Sequence, residues 1–170
     1  MSEEKFVLTQ RGYDQIKQQL ESLEAEAREE RSVLNDSLND KAGGDDDDAD
    51  VALEFDSRRR KERMDEKIGY LRFVLDRAEI YEDPDPERVN TGERVTLWDF
   101  EAREEVQLDV LSSAEITART NVGPGVEDAS DSSPIGKALL GKRVGDIVEV
   151  ETPNGINRYT VRHIEPIPED

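Results

Sequence analysis

Two apolar seams mirror each other across the acidic stretch Gly43-Gly44-Asp45-Asp46-Asp47-Asp48-Ala49-Asp50, and that symmetry leaves the first half of the chain very few possible shapes. Before the stretch, Tyr13, Ile16, Leu20, Leu23 and Ala27 recur at alternating steps of three and four. After it, Met64, Ile68, Leu71, Leu75 and Ala78 repeat the spacing. This is the a/d pattern of a coiled-coil seam. Antiparallel helices joined at a tip pair positions equidistant from the turn. Tyr13/Ala78, Ile16/Leu75, Leu20/Leu71, Leu23/Ile68, Ala27/Met64 and Leu38/Leu53 are all symmetric about the point between Asp45 and Asp46. The pattern predicts a helical hairpin with an acidic tip. Thr9 is placed to cap its first helix and Leu8 to staple onto the first turns. A helix from Thr9 to Lys41 is roughly 48 Å long at ~1.5 Å per residue. Nearer the tip the seam turns polar, at Glu30 and Ser37 on one helix and at Lys61 and Ser57 on the other, which makes that half wetter. Val33, Leu34, Leu38, Val51, Leu53 and Phe55 are expected to form a separate apolar clamp just below the tip.

The period changes after Asp83-Pro84-Asp85-Pro86, a stretch that cannot continue a helix expected to end between Ala78 and Tyr81. Beyond it, Val95 and Leu97 alternate with polar neighbours, as do Val106, Leu108 and Val110, then Val148 and Val150, then Tyr159 and Val161. Period two predicts half-buried antiparallel strands, and Pro153-Asn154-Gly155 supplies a turn between the last two. One short helix interrupts them, with Ser133 as N-cap, Pro134 at the first helical position, Ile135 to Leu140 as body and Gly141 just past the end. The expectation is an α+β chain: an antiparallel coiled coil over 1–82, a linker over 83–90, and a small antiparallel sheet domain with a short helix over 91–170.

Charge decides which partners such a chain can have. Acidic residues number 42 against 23 basic ones, a net charge of −19, which repels free duplex nucleic acid and favours metal ions or a basic cleft in another macromolecule. With 38% charged and 34% hydrophobic residues, one large compact core is excluded. Cysteine is absent, so disulfides, thiolate nucleophiles and Cys-based zinc sites are excluded too. No apolar run reaches signal-peptide or membrane-spanning length, and a monomeric cytoplasmic protein that makes no membrane contact is expected.

Several apparent chemical motifs fail on inspection. Asp46, Asp48 and Asp50 imitate the first ligands of a calcium loop, but Val51 stands where the turn glycine belongs and Ser57 where the bidentate glutamate belongs. His163, the single histidine, suits a structural position near a strand end better than a general base. Gly123-Pro124-Gly125 lacks the helix context of a phosphate loop and reads as a loop only. Trp98 and Phe100 suit packing. Arg58, Arg59, Arg60, Lys61 and Arg63 admit two readings: helix-surface charge offsetting the acids, or a basic stripe that meets a phosphate backbone brought close by a partner. No catalytic residue is expected.

Leu8-Thr9-x-x-Gly12-Tyr13, the hairpin with its acidic tip, and Ser133-Pro134-Ile135-Gly136-Lys137-Ala138-Leu139-Leu140-Gly141-Lys142-x-x-Gly145-Asp146 together resemble the Gre transcription elongation factors, GreA and GreB, over nearly the whole chain. The resemblance implies an N-terminal antiparallel coiled coil and a C-terminal domain of FKBP-like fold. It implies bacterial RNA polymerase as partner, with the globular domain docked at the rim of the secondary channel and the tip acids reaching the catalytic magnesium. On this reading Ser130, Asp131, Ser132, Ser133 and Pro134 dock on polymerase. Asp45, Asp46, Asp47, Asp48 and Asp50 meet Mg2+ shared with the polymerase active site, and nascent RNA is met only within that complex. Factors that stimulate transcript cleavage carry a tip of the form Asp-Leu-Ser-Glu-Asn-Ala-Glu-Tyr. Here the tip is Asp45-Asp46-Asp47-Asp48-Ala49-Asp50 after two glycines, an Asp-rich tip similar to that of the inhibitory Gre-factor homologues of the Thermus and Deinococcus group. Inhibition or pausing of nucleotide addition is therefore expected, with stimulation of transcript cleavage as the alternative and an acidic coiled-coil adaptor unrelated to polymerase as a third.

Overall fold

A computed structural model describes residues 4–40, 48–82, 85–120 and 122–168, without the side chains of residues 37, 38, 40 and 48–52. The chain divides into two compact units, Ile16–Asp76 and Met1–Gln15 with Arg77–Asp170, so the residues flanking the hairpin group with the sheet.

The first unit consists of α1 (Gln10–Asp40) from Ile16 onward and α2 (Asp48–Asp76). Glu24 accepts from Arg72 Nε at 3.0 Å, and Arg60 lies 3.9 Å from Glu30. One residue number rises as the other falls, so the two helices run antiparallel, as the seam symmetry predicts. Ile16, Met64, Ile68 and Leu71 are buried, and Leu20, Leu23 and Ala27 are half-buried. At the base of α2, however, Val74 is fully buried while Leu75 is only half-buried. The buried side chains at the base of α2 are thus spaced by three, Ile68, Leu71 and Val74, where the heptad pattern expects Leu75. The expected apolar clamp is not formed: Val33, Leu34, Leu53 and Phe55 are all exposed, at 60, 44, 66 and 55%. Leu38 and Val51 lie outside the described side chains. Past Ala27 and Met64 the seam turns polar at Glu30 and Lys61, and no closely packed layer remains to hold a clamp. Phe55 is instead covered by Arg59, whose guanidinium carbon lies 4.5 Å from the ring centre.

The second unit begins with β1 (Phe6–Leu8), which pairs in parallel with β2 (Ala78–Ile80). Helix α2 ends at Asp76, before the expected Ala78–Tyr81, and Ala78 pairs with Phe6 rather than extending the seam opposite Tyr13. The Phe6 N–H donates to Arg77 O at 3.1 Å and the Tyr81 N–H to Leu8 O at 2.7 Å, so a short apolar strand draws the chain out of the helix. Thr9 caps α1 as expected, its Oγ1 accepting from the Gly12 N–H at 2.9 Å.

The main sheet comprises β3 (Glu93–Asp99), β4 (Glu104–Leu111), β5 (Val126–Ser130), β6 (Ile147–Thr152) and β7 (Gly155–Pro166) in the order β5-β4-β3-β7-β6. All pairs are antiparallel except β4–β5, so the sheet is mixed rather than wholly antiparallel. Two short helices interrupt it where one was expected. Helix α3 (Ser113–Ala118) carries the chain from β4 over to β5, and such a crossover is what lets the two strands run in parallel. Helix α4 (Pro134–Leu139) follows β5 with the expected Ser133 cap, and Gly141 after it takes φ 78°. One face of the sheet packs Val95, Leu97, Leu108, Val110, Val148, Val150 and Val161 with Leu139 of α4 and Val89 into the core. The β6–β7 hairpin turns at Pro153-Asn154, with Thr152 opposite Gly155. Among the described residues no helix is long and apolar enough to cross a membrane.

Candidate functional site

The Ser130–Pro134 loop is fixed on both sides before it enters α4. Upstream, Asp128 of β5 lies directly opposite Asp109 of β4, two acids whose repulsion is offset by Arg119 between them. Arg119 donates to Asp109 Oδ2 at 2.9 Å and also to Asp128, and Arg94 donates to both oxygens of Asp109 at 2.7 and 3.1 Å. Asp109 is wholly buried, which such double pairing permits. Burial pushes the Asp128 carboxyl above its ordinary range; the Arg119 charge opposes the shift and the Asp109 charge adds to it.

Within the loop, the backbone is tied at each step. The Asp131 N–H donates to Leu111 O at 2.8 Å, and the Ser133 N–H and Oγ both donate to Ser130 O, at 2.9 and 2.6 Å. Ser130 Oγ and Ser132 Oγ are hydrogen-bonded at 2.8 Å. Ser133 Oγ accepts from the Gly136 N–H at 3.1 Å, the N-cap bond that starts α4. The loop lies so close to the first turn of α4 that a Cβ on Gly136 would stand 1.9 Å from Ser130 O. Ser132 and Pro134 are exposed, while Asp131 is half-buried with Thr91 Oγ1 at 3.5 Å from its carboxylate. Burial raises the Asp131 carboxyl, against the lowering effect of the Thr91 and Ser132 donors. All five loop residues are thus gathered in one stiff turn whose outward groups are a hydroxyl and a proline ring.

The other sequence-derived residues fall on the hairpin. Arg58, Arg59, Arg60, Lys61 and Arg63 are all exposed, but consecutive helical residues advance by about 100° each, so they ring α2 as a collar rather than a stripe. Asp45, Asp46 and Asp47 lie outside the described residues. Asp48 and Asp50 fall in the first turn of α2, with side chains outside the described set. Acids there suit the positive end of a helix dipole. Among the described residues no group of three or more acids or histidines is placed to hold a metal. His163 is exposed, with Nε2 3.5 Å from Glu165, and Arg162 lies 5.6 Å from the centre of the half-buried Trp98 ring. Sequence reading missed the Asp109 network, whose strand β5 has no apolar alternation, and the packing role of Gly136. The signal available for Gly136 was its place inside a helix, where glycine is costly without a packing reason.

Residues 83–166 match the family described as "Transcription elongation factor, GreA/GreB, C-term". The "Transcription inhibitor protein Gfh1" of Thermus thermophilus is 35% identical over 154 residues, covering 91% of this chain and 93% of its own. The "Transcription elongation factor GreA" of Chloroherpeton thalassium is 33% identical over 165 residues, covering 95% and 98%. A solved structure of the transcription factor Gfh1 is 34% identical, covering 96% of this chain and 99% of its own, at a TM-score of 0.41.

Proposed function

Because this chain belongs to the GreA/GreB family of transcription elongation factors, we propose that it binds bacterial RNA polymerase at the secondary channel and slows nucleotide addition through its Asp-rich tip. At the coarser level the chain is a transcription elongation regulator. The observation that carries the finer reading is the tip composition: Asp45 to Asp48 with Asp50 put five carboxylates in six positions. So many like charges resist close approach unless a cation offsets them. Magnesium takes oxygen ligands and keeps part of its water shell, so one or two of these carboxylates suffice to share an ion with the polymerase's own acids. After Gly43 and Gly44 the Ser-Glu-Asn element of cleaving relatives is missing, so this sequence lacks the groups that order a water for in-line attack. Carboxylates that occupy coordination positions without orienting water block extension and leave RNA intact. The 35% identical relative bears the name of a transcription inhibitor, which supports the same reading.

In this account the Ser130–Pro134 turn docks the sheet domain at the channel rim. The cationic collar of Arg58, Arg59, Arg60, Lys61 and Arg63 meets nascent RNA within the complex, and the protein acts as a cytoplasmic monomer. The 33% identical GreA relative favours a second reading, stimulation of transcript cleavage. Replacing Asp45 to Asp48 by Asn separates binding from effect. Inhibition is expected to be relieved while polymerase affinity is kept; a loss of affinity with unchanged inhibition per bound molecule contradicts the proposal.

A further inference from the structure

We propose that Lys137, Lys142 and Arg143, with Arg88 beside them, form a second docking surface on the sheet domain, one that takes an acidic protein segment of the polymerase; this rests on the polymerase-binding reading above. Lys137 lies in the last turn of α4, and the Lys142 N–H donates to Leu139 O at 3.0 Å, turning the chain directly after the helix. The Val89 N–H then donates to Lys142 O at 2.8 Å and the Gly141 N–H to Val89 O at 2.9 Å, which sets Arg88 opposite Arg143 in an antiparallel bridge. Like charges placed directly opposite each other are unfavourable.

In a chain with so many acids, these cations are poorly neutralised. Arg88 has Asp85 at 3.2 Å and also reaches Gly141 O at 3.2 Å. Asp146 is close by, yet its carboxylate accepts from the Arg143 backbone N–H at 2.9 Å. The side chains of Lys137, Lys142 and Arg143 make no ion pair among the described residues, whereas Arg94, Arg119 and Arg158 of the same domain all do. Three unpaired cations therefore stand within seven positions at the far end of α4 from the Ser130–Pro134 turn. That helix spans only about 9 Å, so one partner surface can engage both ends.

The rest of the molecule selects the kind of partner. A long polyanion such as duplex nucleic acid would meet the field of the remaining acids, but a short acidic segment touches only the patch. The test uses the full chain carrying Lys137→Glu, Lys142→Glu and Arg143→Glu, and the milder Gln triple in case reversal impairs folding. Arg103→Glu, at an exposed turn elsewhere in the domain, is the control. With polymerase core enzyme free of nucleic acid, the triple variants are expected to associate about tenfold more slowly at low salt, with a flatter salt dependence. The Arg103→Glu protein should behave like the unmodified one. Unchanged rate and salt slope in folded triple variants overturn the second surface while leaving polymerase binding intact. A defect seen only with DNA-loaded complexes overturns the acidic-protein assignment in favour of nucleic acid. Failure of the unmodified chain to bind polymerase overturns the underlying reading instead.

Discussion

Glu115 caps a helix that is not its own. Ser112-Ser113-Ala114-Glu115 has the form of a capping box, and Ser112 Oγ does accept from the Glu115 N–H at 3.3 Å, but the Glu115 carboxylate turns away from α3 to receive the Thr9 N–H at 2.9 Å and the Thr9 hydroxyl. It thereby fills the place that a glutamate at position 12 would take in a local box. Position 12 is glycine, and a Cβ there would stand 2.2 Å from the Glu115 carboxyl carbon. Burial raises the Glu115 carboxyl, opposed by the Thr9 hydrogen bonds and the Arg119 charge. Between the ordinary glutamate value and this raised one, the folded chain binds more protons than the unfolded chain, so stability falls as pH rises through that window. Denaturant titrations across that window should show this slope, and Glu115→Gln should flatten it; an unaltered slope in the Gln protein contradicts the assignment. The two close-packed glycines should differ in cost. Gly136→Ala meets backbone at Ser130 and is expected to lose about 1–3 kcal/mol or more, whereas Gly12→Ala meets the end of a movable side chain and should lose less. Equal urea midpoints for the two variants contradict that ordering.

At the level of elements, what the sequence revealed depended on whether an element's partner lay nearby in the pattern. The hairpin was legible because its two seams mirror each other, and β3, β4, β6 and β7 because each alternates around a core face. Strands β1 and β2 are three residues long and pair across the whole hairpin, so no local pattern marks them. Strand β5 reads Val-Glu-Asp-Ala-Ser: it pairs with β4, puts Ala129 in the core and joins Asp128 to the Asp109 and Arg119 charges, none of which apolar periodicity registers. The misplaced clamp has a similar cause: Val33 and Phe55 look like core residues in a list, but the polar seam above Ala27 leaves them without a packed layer. The start of α4 was legible in Ser133-Pro134, while the close approach of Gly136 to Ser130 O belongs to tertiary contact. Cysteines placed at Leu20 and Leu71, in an otherwise cysteine-free chain, should cross-link within one molecule under mild oxidation. Efficient joining between molecules instead would mean that the seam pairs two chains.

For the whole molecule, a net charge of −19 and a family of transcription elongation factors point toward a regulator brought to its target by protein docking rather than by free nucleic acid. Under the proposed function, the Ser130–Pro134 turn would set where the molecule sits and the carboxylates of Asp45 to Asp48 what happens there. The most direct measurement follows the RNA 3′ end in halted and backtracked elongation complexes given the unmodified protein, magnesium and nucleotides, scoring extension and shortening in the same reaction. Slower extension with RNA of undiminished length is the predicted result. Rapid shortening of backtracked RNA, abolished when Asp45 to Asp48 are replaced by Asn, would contradict it and establish the tip as a cleavage-stimulating site.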